Sequence, residues 1–404
     1  MTRESAIGVK KNFEQLRPAA ACEQVVVCEQ TLSENIAKAG QTMSIIGAEK
    51  SSGTMPQAPR RQWKFILPLE KGQSQGRRRA SELMATYGLV IVFILVMVVF
   101  AILRPSTFLT SSNINNILIS QSITALLALA VMVPLATKLF DLSVGYHVGM
   151  AQVLVIGLQV TSGLPWAVAI VIVLAISLLV GLINGLLVTR FGIDSFIATM
   201  GMGTVLYGIS NWYTGGQQIV GLGLSENFTH LGQIAGYVPL PPLYVAVVAI
   251  VLWLVTERMP IGRNLYVIGA SPRAAELTGI HVGRSVAGAF ITSGFLCGIA
   301  GILLGSILQT GTPSVGAEYL LPAFAGALLG ATSIQPGRVN VGGTMLAVLI
   351  LAFSFSGVQQ LGAPFYVEYF FNGGILIVAV GLSVYAAAER RRIATAANRQ
   401  AASQ

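Results

Sequence analysis

From about Leu83 to Tyr385 the chain runs through one apolar stretch after another, broken by Gly, Pro and short polar loops, with too little charge to cover a water-exposed surface. Only 10% of the 404 residues are charged, against roughly 25% in ordinary soluble domains, while 54% are hydrophobic. A soluble chain of this size buries a large core but still needs a polar shell. Lipid is the surrounding that fits. Because lipid cannot satisfy backbone N–H and C=O groups, the spanning segments must be helices. A span needs about 20 mostly apolar residues. Such segments fall near 83–103, 115–137, 142–160, 165–189, 194–213, 241–256, 285–308, 319–332, 340–357 and 366–386. The fold class expected is an all-α polytopic membrane protein with about ten transmembrane helices, of which 241–256 and 319–332 are short, tilted, broken or re-entrant.

The basic residues check that count independently, since loops on the cytoplasmic side are enriched in Lys and Arg. With ten spans and a cytoplasmic N-terminus, the inside loops carry Arg77–Arg79, Lys138, Arg190, Arg258, Arg263, Arg273, Arg284, Arg338 and Arg390–Arg392, and the outside loops carry Arg104 alone. A miscounted span would scramble this asymmetry, so both termini are expected in the cytoplasm. The net charge of +9 is therefore a topology signal, and no basic patch interleaved with aromatics suggests nucleic acid. Residues 1–80 hold seven of the sixteen acidic residues and no sustained apolar run, which predicts a polar, disordered cytoplasmic extension. A transmembrane domain follows at 81–388, and 389–404 reads as a cytoplasmic tail.

Chemistry of its own is hard to find in this chain. A phosphate-cradling P-loop needs Gly-Lys before Ser or Thr, and none of the seven lysines follows a glycine. No ATPase site, metal site or cofactor is expected. His147, His230 and His281 are not spaced as shared ligands, and each reads as a loop or helix-end residue. Cys297 reads as a small core residue, and Cys22 and Cys28 lack further ligands. The two aspartates, Asp141 and Asp194, open expected spans, where a carboxylate caps free N–H groups. Mid-span carboxylates of the kind a proton-coupled carrier uses are scarce. Gly294/Gly298 and Gly326/Gly330 are small-xxx-small pairs that let helices approach closely in lipid. In the long inside loop, Ser271 as N-cap, Pro272 at the first position and Gly279 as terminator predict a short exposed helix.

Gly269, Ala274-Ala275 and Gly279-Ile280 in that loop resemble the coupling segment of ABC importer permeases. Four further stretches carry the same likeness in order: Phe140-Asp-Leu-Ser-Val-Gly145, Gly181-Leu-Ile-Asn-Gly185, Ile193-Asp-Ser-Phe-Ile-Ala-Thr-Met-Gly201, and Leu328 to Ser333 with Gly342-Gly-Thr344. Over about 85–386 the chain resembles the ribose/xylose-type sugar permeases, a family related to the branched-chain amino-acid permeases. Departures occur at Lys138-Leu-Phe140, at Tyr146, at Ser271-Pro-Arg273 and at Gln335-Pro-Gly-Arg338.

The resemblance implies a multi-pass protein of the bacterial inner membrane, paired as a homodimer or with a similar permease. Cytoplasmic ATPase subunits would use ATP and Mg, and a periplasmic or extracellular solute-binding protein would deliver a monosaccharide or sugar-like solute. The coupling residues would be Gly269, Ala274, Ala275, Glu276, Gly279 and Ile280. Candidates to line the translocation path are Asp141, Ser143, Asn184, Thr199, Gln309 and Asn372, the last four with helix-to-helix hydrogen bonding as the competing role. The alternative in a different class is a carrier driven by an ion gradient without an ATPase.

Overall fold

The computed structural model describes residues 75–235, 238–335, 337–364 and 366–374, with 377 and 381, and gives their side chains from Tyr87 on except at Ala235 and Val238. The extension expected at 1–80 lies outside these residues except for its last six, which open the first helix. The tail at 389–404, Cys22 and Cys28 lie outside them as well.

Each expected segment from 83–103 to 340–357 lies on a helix. In chain order these are α1 (Gln75–Leu103), α2 (Ser111–Leu135), α3 (Val144–Val160), α4 (Trp166–Thr189) and α5 (Ser195–Thr214). A short α6 (Glu226–His230) interrupts the next loop, and α7 (Leu240–Trp253) runs on as a π-turn (Leu254–Arg258). Beyond it come α8 (Pro260–Ala270), α9 (Pro272–Leu277), α10 (Val282–Leu308), α11 (Leu320–Gly330) and α12 (Val341–Gln360). The tenth expected segment, 366–386, falls mostly outside the described residues, although 367–374 are helical. Among the described residues, five helices are long and apolar enough to cross a membrane: α2, α4, α7 with its π-turn, α10 and α12. Tyr87–Leu103, Val144–Val160 and Val315–Gly330 are shorter apolar stretches.

The two segments flagged as short are built differently. The first gains length because the π-turn carries α7 on to Arg258, with Thr256 Oγ1 donating to the Leu252 carbonyl at 2.8 Å. The second starts as a 3₁₀ turn (Val315–Tyr319) before α11. A helix that is apolar all round must lie inside the protein or face lipid. Within α2 every residue from Ser122 to Leu135 is buried, and α7, α10, α11 and α12 pack around it. By contrast α4 and α7 turn Val171, Leu179, Val247 and Ile250 outward, as lipid-facing helices would.

Between apolar helices in lipid there is little hydrophobic gain, so close backbone approach has to hold them together. The α4–α10 contact shows how. A Cβ on Gly294 would stand 2.5 Å from the Ser177 carbonyl oxygen and 3.0 Å from Gly181 Cα. One on Gly298 would meet the Ser177 side chain, and one on Gly185 would meet Ala287. The partners rise on α4 as they fall on α10, so the two helices run antiparallel along a seam of small residues. Gly326 and Gly330 do the same for α11 against α12, facing Val348 and the backbone at Thr344. At one end of the bundle, β1 (Ile219–Val220) pairs antiparallel with β4 (Thr310–Gly311), which fastens the loop after α5 to the segment after α10. A second two-stranded piece, β2 (Ile234–Ala235) with β3 (Val238–Pro239), leads into α7.

Candidate functional site

Polar side chains gather at three places. The first is centred on Asp141, in the loop between α2 and α3. Its Oδ1 accepts from the Ser143 N–H at 3.1 Å and from the Ser143 hydroxyl at 2.6 Å, and its Oδ2 accepts from the Ser293 hydroxyl of α10 at 2.7 Å. Asn184 of α4 donates through Nδ2 to Ser143 Oγ at 2.9 Å. The same loop is held on its other side by α5: the Leu142 N–H donates to Thr199 Oγ1 at 2.9 Å and the Phe140 N–H to Ser195 Oγ at 3.2 Å. All six side chains are buried. Asp141 does not cap α3, whose N-cap is Ser143 with no side-chain cap hydrogen bond; it braces the turn ahead of the helix and ties that loop to α10, and through Ser143 to α4. Burial of Asp141 and its hydroxyl donors is tolerable because they satisfy one another, while Asn184 Oδ1 has no hydrogen-bond partner.

The second place is a cavity of about 460 Å³ at the N-terminal half of α2. Asn113, Asn116, Ser120, Gln121 and Thr124 line it from α2, Ser356 and Gln359 from α12, Glu318 and Tyr319 from the 3₁₀ turn, and Glu368 and Asn372 from helical residues 367–374. The α2 residues recur at steps of three, four, one and three, which puts them on a single helix face. Among the described residues, the side chains of Asn116, Gln121 and Gln359 make no hydrogen bond within the protein, so their amides face open volume. The lining contains two carboxylates and no Lys, Arg or His. Glu318, Glu368 and Asn372 also border a smaller adjoining cavity of about 120 Å³. The volume lies within the ~300–1,000 Å³ usual for small-molecule sites. Chemically, the lining offers amide and hydroxyl partners of both kinds with negative charge at one side, which suits a hydroxyl-rich neutral solute.

The third place is the loop between α7 and α10. The short helix expected there is α9, and Ser271 Oγ accepts from the Ala274 N–H at 3.3 Å as its N-cap. Gly279 ends it in the left-handed region at φ 82°. Ahead of it, α8 was not foreseen; the loop holds two helices. Ala275 is fully buried and packs with Ile268 against Val286 and Phe290 of α10. Gly269 is buried against the carbonyl of Ala136 at the end of α2. Pro272, Arg273, Ala274, Glu276 and Leu277 remain exposed on α9, Leu277 at 78%.

The six path candidates therefore sit in different settings. Asn372 lines the polar cavity. Asp141, Ser143, Asn184 and Thr199 belong to the buried hydrogen-bonded network. Gln309 is exposed, stands at φ 53° and ends α10, with its carbonyl accepting from the Gly221 N–H at 2.9 Å. Of the coupling residues, Ala274, Glu276 and Gly279 are exposed, Ile280 is half-buried, and Gly269 and Ala275 pack inward. Sequence reasoning missed the α2 stripe, and its signal was the helical spacing of five polar residues at the edge of an otherwise apolar span. It also missed Leu277, whose exposure only the packing of α9 reveals. Asp194 is an N-cap, accepting from the Phe196 N–H at 2.9 Å. Cys297 is buried and free.

Known proteins resemble this chain in sequence. A family model described as the permease component of the branched-chain amino-acid transport system matches residues 113–380. The ribose import permease protein RbsC of Bacillus subtilis is 35% identical over 292 residues, 72% of this chain and 89% of the relative. The galactose/methyl galactoside import permease protein MglC of Haemophilus influenzae is 30% identical, covering 72% of this chain and 91% of its own. The D-allose transport system permease protein AlsC of Escherichia coli is 28% identical, covering 73% and 90%. No solved structure matches. With the match spanning the helical bundle and its ordered motifs, the chain belongs to the branched-chain amino-acid transport system permease family, the family of membrane-spanning ABC-transporter permease components that also holds these sugar import permeases.

Proposed function

We propose that this chain is the membrane-spanning subunit of an ATP-driven importer that moves a monosaccharide or sugar-like solute inward through the cavity between α2, α11 and α12. The observation that carries this reading is the set of amides without a protein partner, Asn116, Gln121 and Gln359, facing a cavity that holds carboxylates and no cation. A hydroxyl-rich solute replaces its hydration there with Asn, Gln, Ser and Glu partners, and an apolar or anionic solute gains nothing. The names of the relatives, which concern ribose, galactose and allose, support the same class. In this reading the chain has ten spans with both termini in the cytoplasm of a bacterial inner membrane. It pairs with a second permease, receives solute from a binding protein and uses ATP through partner subunits. Path opening alternates between the two sides of the membrane.

The partner ATPase would dock on the exposed face of α9. Gly269 and Ala275 would act from behind, holding that helix to α2 and α10. Asp141, Ser143, Asn184 and Thr199 would keep the α2–α3 loop rigid while the path helices move. An ion-gradient carrier is the competing class, but Asp141, the one aspartate deep in the bundle among the described residues, already accepts hydroxyls through both oxygens and does not border the polar cavity.

The test is capture of the ATPase subunit in detergent by wild type and by A274R and L277D, followed by sugar uptake in vesicles. Gly279 is the poorer probe, because any side chain there is strained at φ 82°. Wild type should capture the ATPase and take up labelled ribose, galactose or allose only with ATP, and both variants should stay folded and lose capture at least tenfold. Uptake on an ion gradient with no ATPase captured would replace this reading with the carrier.

A further inference from the structure

The loop between α11 and α12 carries Gln335-Pro-Gly-Arg338, which neither the polar cavity nor the exposed face of α9 uses. It is tightly tied. Asn340 caps α12 by accepting from the Gly343 N–H at 2.7 Å, and its Nδ2 donates to the carbonyls of Ser333 and Arg338, each at 3.1 Å. The Gly337 N–H donates to the Ala331 carbonyl at 2.8 Å. Within this knot Ile334 is held at φ 60°, a conformation that β-branched residues rarely adopt and that persists only where the surroundings impose it.

Two side chains leave the knot, and both reach the loop that carries α8 and α9. Gln335 Nε2 donates to Glu257 Oε2 at 3.2 Å, in the π-turn that ends α7. The guanidinium carbon of Arg338 lies 3.4 Å from the centre of the Tyr266 ring on α8, a stacking contact suited to a planar guanidinium. One turn further along, α8 meets the end of α2, where Gly269 closes on Ala136. Thus the segment in front of α9 is attached to α2 and to the start of α12, and both helices line the polar cavity.

We propose that Arg338 and Gln335 are positioning residues that clasp α8 to the start of α12, so that a push on α9 is delivered to the cavity wall. This rests on reading the cavity as the solute path. A rigid contact between the pushed element and the wall makes each ATPase cycle move the wall. A loosened contact lets the ATPase turn over while the wall lags. Gln335 holds the π-turn at one end of the segment, and Arg338 holds its centre.

The test uses the assembled importer with its ATPase subunits and binding protein in vesicles, and reads ATP hydrolysed per labelled sugar taken up, with ribose, galactose and allose as probes. R338M keeps the apolar stem and removes the stacking group, and Y266L removes the ring from the other side, so either reads the contact if its counterpart fails to assemble. Both should keep ATPase capture and raise ATP per sugar at least threefold. The double variant should be no worse than the more severe single, and Y266F, which keeps the ring, should stay within twofold of wild type. R338M and Y266L at the wild-type ratio, or effects that multiply in the double variant, would overturn the clasp alone. A wild-type complex that hydrolyses ATP yet takes up none of the three sugars would overturn the solute-path reading and the clasp with it.

Discussion

The Asp141 network and the polar cavity are made from the same kinds of side chain on the same kind of apolar helix, and they treat their hydrogen bonds in opposite ways. In the network, Ser143 and Ser293 donate to the two oxygens of Asp141, and Asn184 donates to Ser143. In the cavity, Asn116, Gln121 and Gln359 turn their amides to open volume. Packing makes the difference. Along the α4–α10 seam, glycines bring the backbones close enough for Ser293 of α10 to reach Asp141 and for Asn184 of α4 to reach Ser143. Near the start of α2 the opposing wall changes from α11 to a 3₁₀ turn, and Glu318 and Tyr319 of that turn border an opening instead of a seam. A satisfied polar group contributes to holding the fold, whereas an unsatisfied one facing a cavity is available to a solute.

That contrast can be broken experimentally, and the expected effects on stability fall in a clear order. Asp141→Ala leaves two buried hydroxyls and an amide without their acceptors, which costs about 2–5 kcal/mol. It should lower the melting temperature in detergent sharply, and an unchanged melt would show that the network is dispensable. Gly294→Leu forces a side chain into the α4 backbone, an overpacking worth about 1–3 kcal/mol. Its melt should drop less than that of Asp141→Ala, and cysteine cross-linking between α4 and α10 should report a widened seam.

Gln121→Leu and Asn116→Leu sharpen the comparison from the cavity side. Neither amide has a protein partner, so stability should change by about 0.5 kcal/mol or less, while ATP-driven sugar uptake should fall at least tenfold. A variant that melts early with uptake per folded molecule intact would move the stripe into the structural class. Smallest of all, Arg273→Ala removes an exposed contact to Glu276 at 3.4 Å. Exposed pairs of this kind contribute about 0.5 kcal/mol or less, so the melt should not move measurably.

Reading the sequence located the helices well because a span announces itself over 20 residues, and α9 announced itself through Ser271, Pro272 and Gly279. Its neighbour α8 was not visible. Its residues mix charge and apolar character, and what makes Leu265 and Ile268 a buried face is the surface they meet. Gln309 looked like a lining residue because it is polar beside an apolar run, and it is the turn that ends α10. The α2 stripe escaped notice for the converse reason. Polar residues at the edge of a span read as the edge, until α12 and the 3₁₀ turn are seen across from them.

What the chain by itself determined was local or additive: the free energy of placing each apolar segment in lipid, the charge bias of its loops, and the caps of single helices. What only the tertiary structure decided was which polar groups are spent inside the fold and which stay free. Ser293 is 152 positions from Asp141 and Asn184 is 41 from Ser143, so their hydrogen bonds belong to pairs that no stretch of sequence contains. Satisfaction of a buried polar group is a property of the pair, and only packing brings the pair together.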